Sequence, residues 1–178
     1  MAVTVLGPDN AFWADGEWIS WEDFGEAAVE SGGHLAELER EAAMRWRFPK
    51  ADISLVPYFQ DLLGIAEDYH RSTGRHLQIY GDIGELFGAI THGIRLHRNY
   101  AKGSDGRLGD DFVEIKTITP FNTHDRVSVR LDRHFSKLLV VKINDRFEVS
   151  GRLVDRKSLR KTTGKVLSLT WEGLGGLI

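Results

Sequence analysis

The spacing of apolar residues changes once along this chain, and that change limits the folds open to it. Up to Gly93 the intervals are helical. "ISLVPYFQDLLGIAEDYHRSTG" puts Leu55, Phe59, Leu62, Leu63 and Ala66 on one face and closes near Gly74. "GDIGELFGAITHG" repeats the pattern with Ile83, Leu86, Phe87 and Ile90 ahead of Gly93. An earlier helix is expected from about His34 to Arg47, stopped before Pro49. Another should start at an N-capping Ser20 and stop at Gly32 and Gly33, with Trp13, Trp18 and Trp21 as a hydrophobic plug on this helical layer. Beyond Gly93 the period falls to two, and "DDFVEIKTI", "RVSVRL", "KLLVVKI", "RFEVSGRLV" and "KVLSLTW" all read as strands. Helices first and strands afterwards predict an α+β fold with a mixed sheet.

A length of 178 residues with 42% hydrophobic content supports one core, so a single domain is expected over residues 1–178, with a helical layer over 1–80 and a sheet-bearing core over 81–178. The absence of cysteine excludes disulfides and thiolate metal sites and agrees with a reducing, cytoplasmic setting. The start "MAVTVLGPDNAFW" has no basic stretch leading into a long apolar one, and no run is long enough to cross a bilayer, so no membrane partner is expected. Charge is segregated: residues 1–92 carry 6 Lys+Arg against 16 Asp+Glu, and residues 93–178 carry 17 against 10. The basic half either faces a polyanion or packs beside an acidic helical layer. Arg126, Arg130, Arg133 and Lys137 are the candidate phosphate contacts, set against the plainer reading of a solvated strand face.

Within "DFVEIKTI" the alternation assigns Phe112, Glu114, Lys116 and Ile118 to one face and Val113, Ile115 and Thr117 to the other. Two charged groups on a covered strand must reach its rim or find partners. Asp105 lies nine residues before Glu114, and "GRLGD" between them has the turn chemistry to fold a short strand back, bringing Asp105 beside Glu114. Two neighbouring carboxylates repel unless a cation lies between them, and oxygen ligands with open positions suit Mg²⁺ or Mn²⁺. Lys116 would then orient a water nucleophile or offset charge gathering on a phosphorane-like transition state.

These residues resemble the PD-(D/E)xK nuclease superfamily with its restriction-endonuclease-like fold, through "SDG" (Asp105), "VEIK" (Glu114 and Lys116) and an upstream helix with a glutamate in "GELFGA" (Glu85). The resemblance covers about residues 82–143. It implies a helix ahead of a β-meander, a metal site on the first two strands and a sheet flanked by helices. It also implies a Mg²⁺-dependent endonuclease acting on DNA, with Asp105 and Glu114 as metal ligands, Glu85 completing the shell and Lys116 positioning the nucleophile. Cutting two strands would favour a homodimer. Ser104 stands where the pattern commonly has proline, and the short "DRHFS" connection before "KLLVVKI" leaves no room for a crossover helix, so the second half of such a core must be rearranged.

Each assignment has a plainer competitor. Glu85 with Asp82 spells a capping box, and Glu114 with Lys116 could be a rim ion pair. Asp110 and Asp111 read as turn residues and are the substitutes should Asp105 point away. A second acid-x-lysine pair, Asp155 and Lys157, has Arg156 between its members and too little chain after it to build a nuclease core. The pairs His92 and His97, and His124 and His134, lack zinc-ligand spacing, although the first could line a cleft beside Glu85. From a different class, the chain could be a noncatalytic binding module on a nuclease-like scaffold.

Overall fold

The computed structural model describes residues 5–6, 11–14, 17–20, 33–98, 103–160 and 164–175. Helix α1 spans Gly33–Arg47, α2 Val56–Thr73 and α3 Tyr80–His92, and a short α4, Trp171–Gly175, lies near the C-terminal end. The strands are β1 (Val5–Leu6), β2 (Ala11–Ala14), β3 (Glu17–Ser20), β4 (Arg95–Leu96) and β5 (Gly106–Leu108), then β6 (Asp111–Ile118), β7 (Arg126–Arg130), β8 (Lys137–Ile143), β9 (Val149–Asp155) and β10 (Val166–Thr170). The protein is a mixed α+β fold.

The expected start and stop signals operate at α2 and α3. Pro57 occupies the first turn of α2, where its missing N–H costs nothing, and Gly74 (φ 67°) and Gly93 (φ 68°) end the two helices in the left-handed conformation. Helix α3 differs from expectation at its other end. Its N-cap is Ile79 and no side chain caps it, so Asp82 lies inside the first turn and Glu85 in the helix body; the capping box does not form. The N-terminal segment differs as well, because β1, β2 and β3 are strands, with Trp13 opposite Trp18 in a hairpin and β1 paired to β9. The described part of 1–80 is therefore helical only from Gly33. The helix expected from Ser20 to Gly32, and Trp21 with it, lie outside the described residues.

The main sheet has the order β3-β2-β1-β9-β8-β6-β5-β4. Its five strands after Gly93 form a mixed sheet: β6 and β8 are parallel, with Val113 opposite Lys137 and Ile118 opposite Lys142, and the other pairings are antiparallel. Parallel neighbours require a crossover. Here the crossover is the strand β7, which leaves the main sheet and pairs with β10 in a separate two-stranded sheet. That is how the short "DRHFS" connection is accommodated without a helix.

Alternation divides β6 between two cores as expected. Val113 and Ile115 pack with Ile83, Phe87 and Ile90 of α3 and with Phe59 and Leu63 of α2. On the opposite face Ile118 packs with Leu138 and Val140 and with Val127, Val129 and Leu167 of the small sheet. Helix α3 reaches the sheet through glycines. A methyl on Gly84 would come within 2.1 Å of Thr117 Oγ1, and one on Gly88 within 2.8 Å of Leu139 Cδ2. The residue after Gly84 is Glu85, so this close approach fixes where Glu85 stands.

Candidate active site

The hairpin of β5 and β6 assembles the site. Gly106 pairs with Val113 and Leu108 with Asp111 across the Gly109 and Asp110 turn, in which Gly109 has φ 61°. One residue further on, this register sets Asp105 against Glu114. The Asp105 N–H donates to Val113 O (3.0 Å), and its carbonyl accepts from His97 N (2.9 Å), so its backbone belongs to both neighbouring ladders. Its side chain does further work: Oδ2 accepts from the Ile115 N–H at 2.7 Å, satisfying a strand donor at the point where β5 runs out.

Glu114 is completely buried. Its Oε1 lies 2.7 Å from Lys116 Nζ, and Arg133 Nη1 donates to Oε1 at 3.1 Å and to Oε2 at 3.3 Å. A carboxyl group buried this deeply needs partners against it, and it has two cations. Both cations also reach Asp105, with Lys116 Nζ 3.9 Å from Oδ2 and Arg133 Nη1 3.9 Å from Oδ1. Lys116 Nζ further donates to Ile115 O at 2.9 Å, which draws the ammonium back along its own strand. Two carboxylates, an ammonium and a guanidinium thus form one network at the rim of the sheet.

Glu85 approaches from the helical side and is half-buried. Its carboxyl is held above the usual carboxylate range, first by burial, then by the negative charges of Asp105 and Asp82, with Lys116 pulling the other way. Among the described residues no group of three or more His, Cys, Asp or Glu is gathered in metal-ligating geometry. The donor set is nevertheless all carboxylate oxygen, and cationic groups already lie between its members. Carboxylate oxygens are the donor type that suits a hard divalent ion, and Asp105 and Glu114 are the residues that could hold one.

The competing assignments resolve by position. Asp110 is exposed in the hairpin turn, and Asp111 accepts from Ser136 Oγ at 2.7 Å, so neither replaces Asp105. His97 sits beside the site strand, with Nδ1 3.1 Å from the Ser104 carbonyl, while His92 contacts Thr91 Oγ1 at 2.7 Å and burial lowers its pKa. Of the four candidate phosphate contacts, Arg126 and Arg130 project from the solvent face of β7. Arg130 is forked onto Asp132 (3.1 and 2.7 Å), Lys137 is paired with Asp155 (2.6 Å), and Arg133 is engaged with Glu114.

The sequence offered Arg133 only as a candidate phosphate contact and did not signal the structural role of Arg156. The Arg156 side chain donates to the carbonyls of Arg133 (2.8 Å), Phe135 (3.2 Å) and Leu131, and its guanidinium lies 4.5 Å from the Phe135 ring centre. It thereby builds the loop that delivers Arg133 to Glu114. Nothing local in the sequence marks these contacts, because they join residues about twenty positions apart. No protein-family model matches the chain, and no curated protein matches it.

Proposed function

We propose that the protein is a metal-dependent nuclease that hydrolyses DNA phosphodiesters, on a restriction-endonuclease-like scaffold. The observation that carries this reading is the convergence of Asp105 and Glu114, from adjacent antiparallel strands, on the Lys116 ammonium at 3.9 and 2.7 Å. Asp105 and Glu114 would hold Mg²⁺ or Mn²⁺, with Glu85 as an outer or additional ligand. The ion would supply Lewis acidity toward a phosphoryl oxygen and a lowered pKa for water. Lys116 would hydrogen-bond the attacking water and offset negative charge as the new P–O bond forms and the bond to the leaving oxygen breaks. On the outer face of β7, Arg126 would give the nucleic-acid backbone a cationic contact, whereas Arg130 is already forked onto Asp132.

The test is cleavage of linear or plasmid DNA with Mg²⁺ or Mn²⁺, comparing wild type with Lys116→Ala and Asp105→Asn. Asparagine retains a side-chain oxygen for the Ile115 N–H while removing the charge. Loss of cleavage in both variants supports the assignment, and cleavage equal to wild type in either contradicts it.

A second reading is favoured by one specific observation: both oxygens of the fully buried Glu114 are already bonded to Arg133. If that contact is permanent, the protein is a noncatalytic module on the same scaffold. It would then bind neither Mn²⁺ nor Mg²⁺ in a calorimetric titration.

A further inference from the structure

We propose that Arg133 is the resident cation of the carboxylate pair, holding the place of the divalent ion and vacating it for a DNA phosphate when the ion binds; this rests on the nuclease reading. Arg133 Nη1 stands 3.1 and 3.3 Å from the two oxygens of Glu114 and 3.9 Å from Asp105 Oδ1. Three oxygens from two strands therefore face one cationic nitrogen, and they are the oxygens a divalent ion would need. Both cannot hold them at once, because a dication and a guanidinium sharing the same ligands repel strongly.

The loop carrying Arg133 is built so that its backbone stays while its side chain moves. Arg156 ties down three carbonyls of the segment from Leu131 to Phe135. The Ser136 N–H donates to Phe112 O (2.9 Å), and the Arg156 N–H to Ser136 O (2.8 Å). The Arg133 side chain is itself 41% exposed, so its far side already faces solvent. Released from Glu114, the guanidinium needs only a rotamer change about a fixed Cα to meet a phosphate at the mouth of the site, where its fork matches a phosphodiester. Three consequences follow for the chain. Without metal, the buried Glu114 keeps its charge balance. With metal alone, Arg133 must be displaced, which weakens binding. With DNA present, the phosphate takes Arg133, and metal and DNA each strengthen the other's binding, as linkage requires.

The experiment is calorimetric titration of the full chain with Mn²⁺, without nucleic acid, for wild type, Arg133→Gln and Arg133→Lys. Glutamine keeps a donor for Glu114, so the fold is retained, but it removes the competing charge; lysine keeps that charge. Arg133→Gln should bind Mn²⁺ at least about fivefold more tightly than wild type, with Arg133→Lys close to wild type. Its thermal midpoint should also rise more on adding Mn²⁺ than that of wild type. If Arg133→Gln binds Mn²⁺ no more tightly than wild type, the resident-cation proposal is overturned while the nuclease reading stands. If none of the three proteins binds Mn²⁺, both are overturned.

Discussion

Burying Glu114 is tolerable because two cations share it, and removing them one at a time or together should give quite different losses. In Lys116→Met or Arg133→Met an aliphatic stem of similar length still covers the strand, and the carboxylate keeps its other partner. A hydrogen bond to a charged group is worth about 1.5–3 kcal/mol, and each cation here is partly exposed, so each single variant should lose about 1–2 kcal/mol. The double variant leaves a fully buried carboxylate with no cation against it, and an uncompensated buried charge costs about 3–5 kcal/mol. The double loss should therefore exceed the sum of the singles by about 1 kcal/mol, within the range found for contacting residues. For a chain of this length that excess alone corresponds to about 2–4 °C in thermal midpoint. Urea unfolding followed by circular dichroism, at constant m-value, measures all four corners of the cycle, and repeating it in a Glu114→Gln background should abolish the coupling. Losses that add to within about 0.5 kcal/mol would refute the claim that Glu114 holds the network together.

Other expectations follow from the same geometry. Gly84→Ala should destabilise by about 1–3 kcal/mol despite alanine's better helix propensity, because the new methyl meets Thr117 Oγ1 at 2.1 Å; Thr117→Ala should restore much of the loss in thermal unfolding, and no rescue would mean that the clash is not the cause. Glu85 is held above the usual carboxylate range, so the folded state binds its proton more tightly, and the stability this gives below that range is lost as pH rises through the folded pKa. Glu85→Gln should accordingly be more stable than wild type at neutral pH, with the advantage vanishing in acid; equal urea midpoints at pH 7 would contradict this. His76, lowered by burial and then by the stacked His70, and His92, lowered by burial, work the other way. The unfolded chain takes up their protons first, so stability should fall as pH drops through about 6.5. A urea midpoint flat between pH 8 and pH 6 would rule that out.

What could be read in the sequence was whatever neighbours along the chain determine. The period-two pattern of "DFVEIKTI" assigned Glu114 and Lys116 to one face, and "GRLGD" supplied the turn that sets Asp105 against Glu114. Gly74 and Gly93 marked helix ends because the left-handed conformation there suits glycine. The capping box at Asp82 failed because tertiary contacts begin α3 at Tyr80, two residues earlier, with that tyrosine already buried. The β2–β3 pairing is local, and the "DG" between "AFWA" and "EWIS" was a hairpin signal passed over, whereas strand β1 was missed since Val5 and Leu6 pair with β9, more than 140 positions away. Arg133 and Arg156 escaped for the same reason: their roles depend on how β7 crosses over β6, and spacing along the chain carries no trace of that.

The most direct measurement is a diffraction experiment on crystals soaked in Mn²⁺, using its anomalous signal. One peak ligated by Asp105 and Glu114, with the Arg133 guanidinium turned outward, is the expected result. If no peak appears there and Arg133 remains on Glu114 at saturating Mn²⁺, the carboxylate pair is a structural ion network and the nuclease mechanism is wrong.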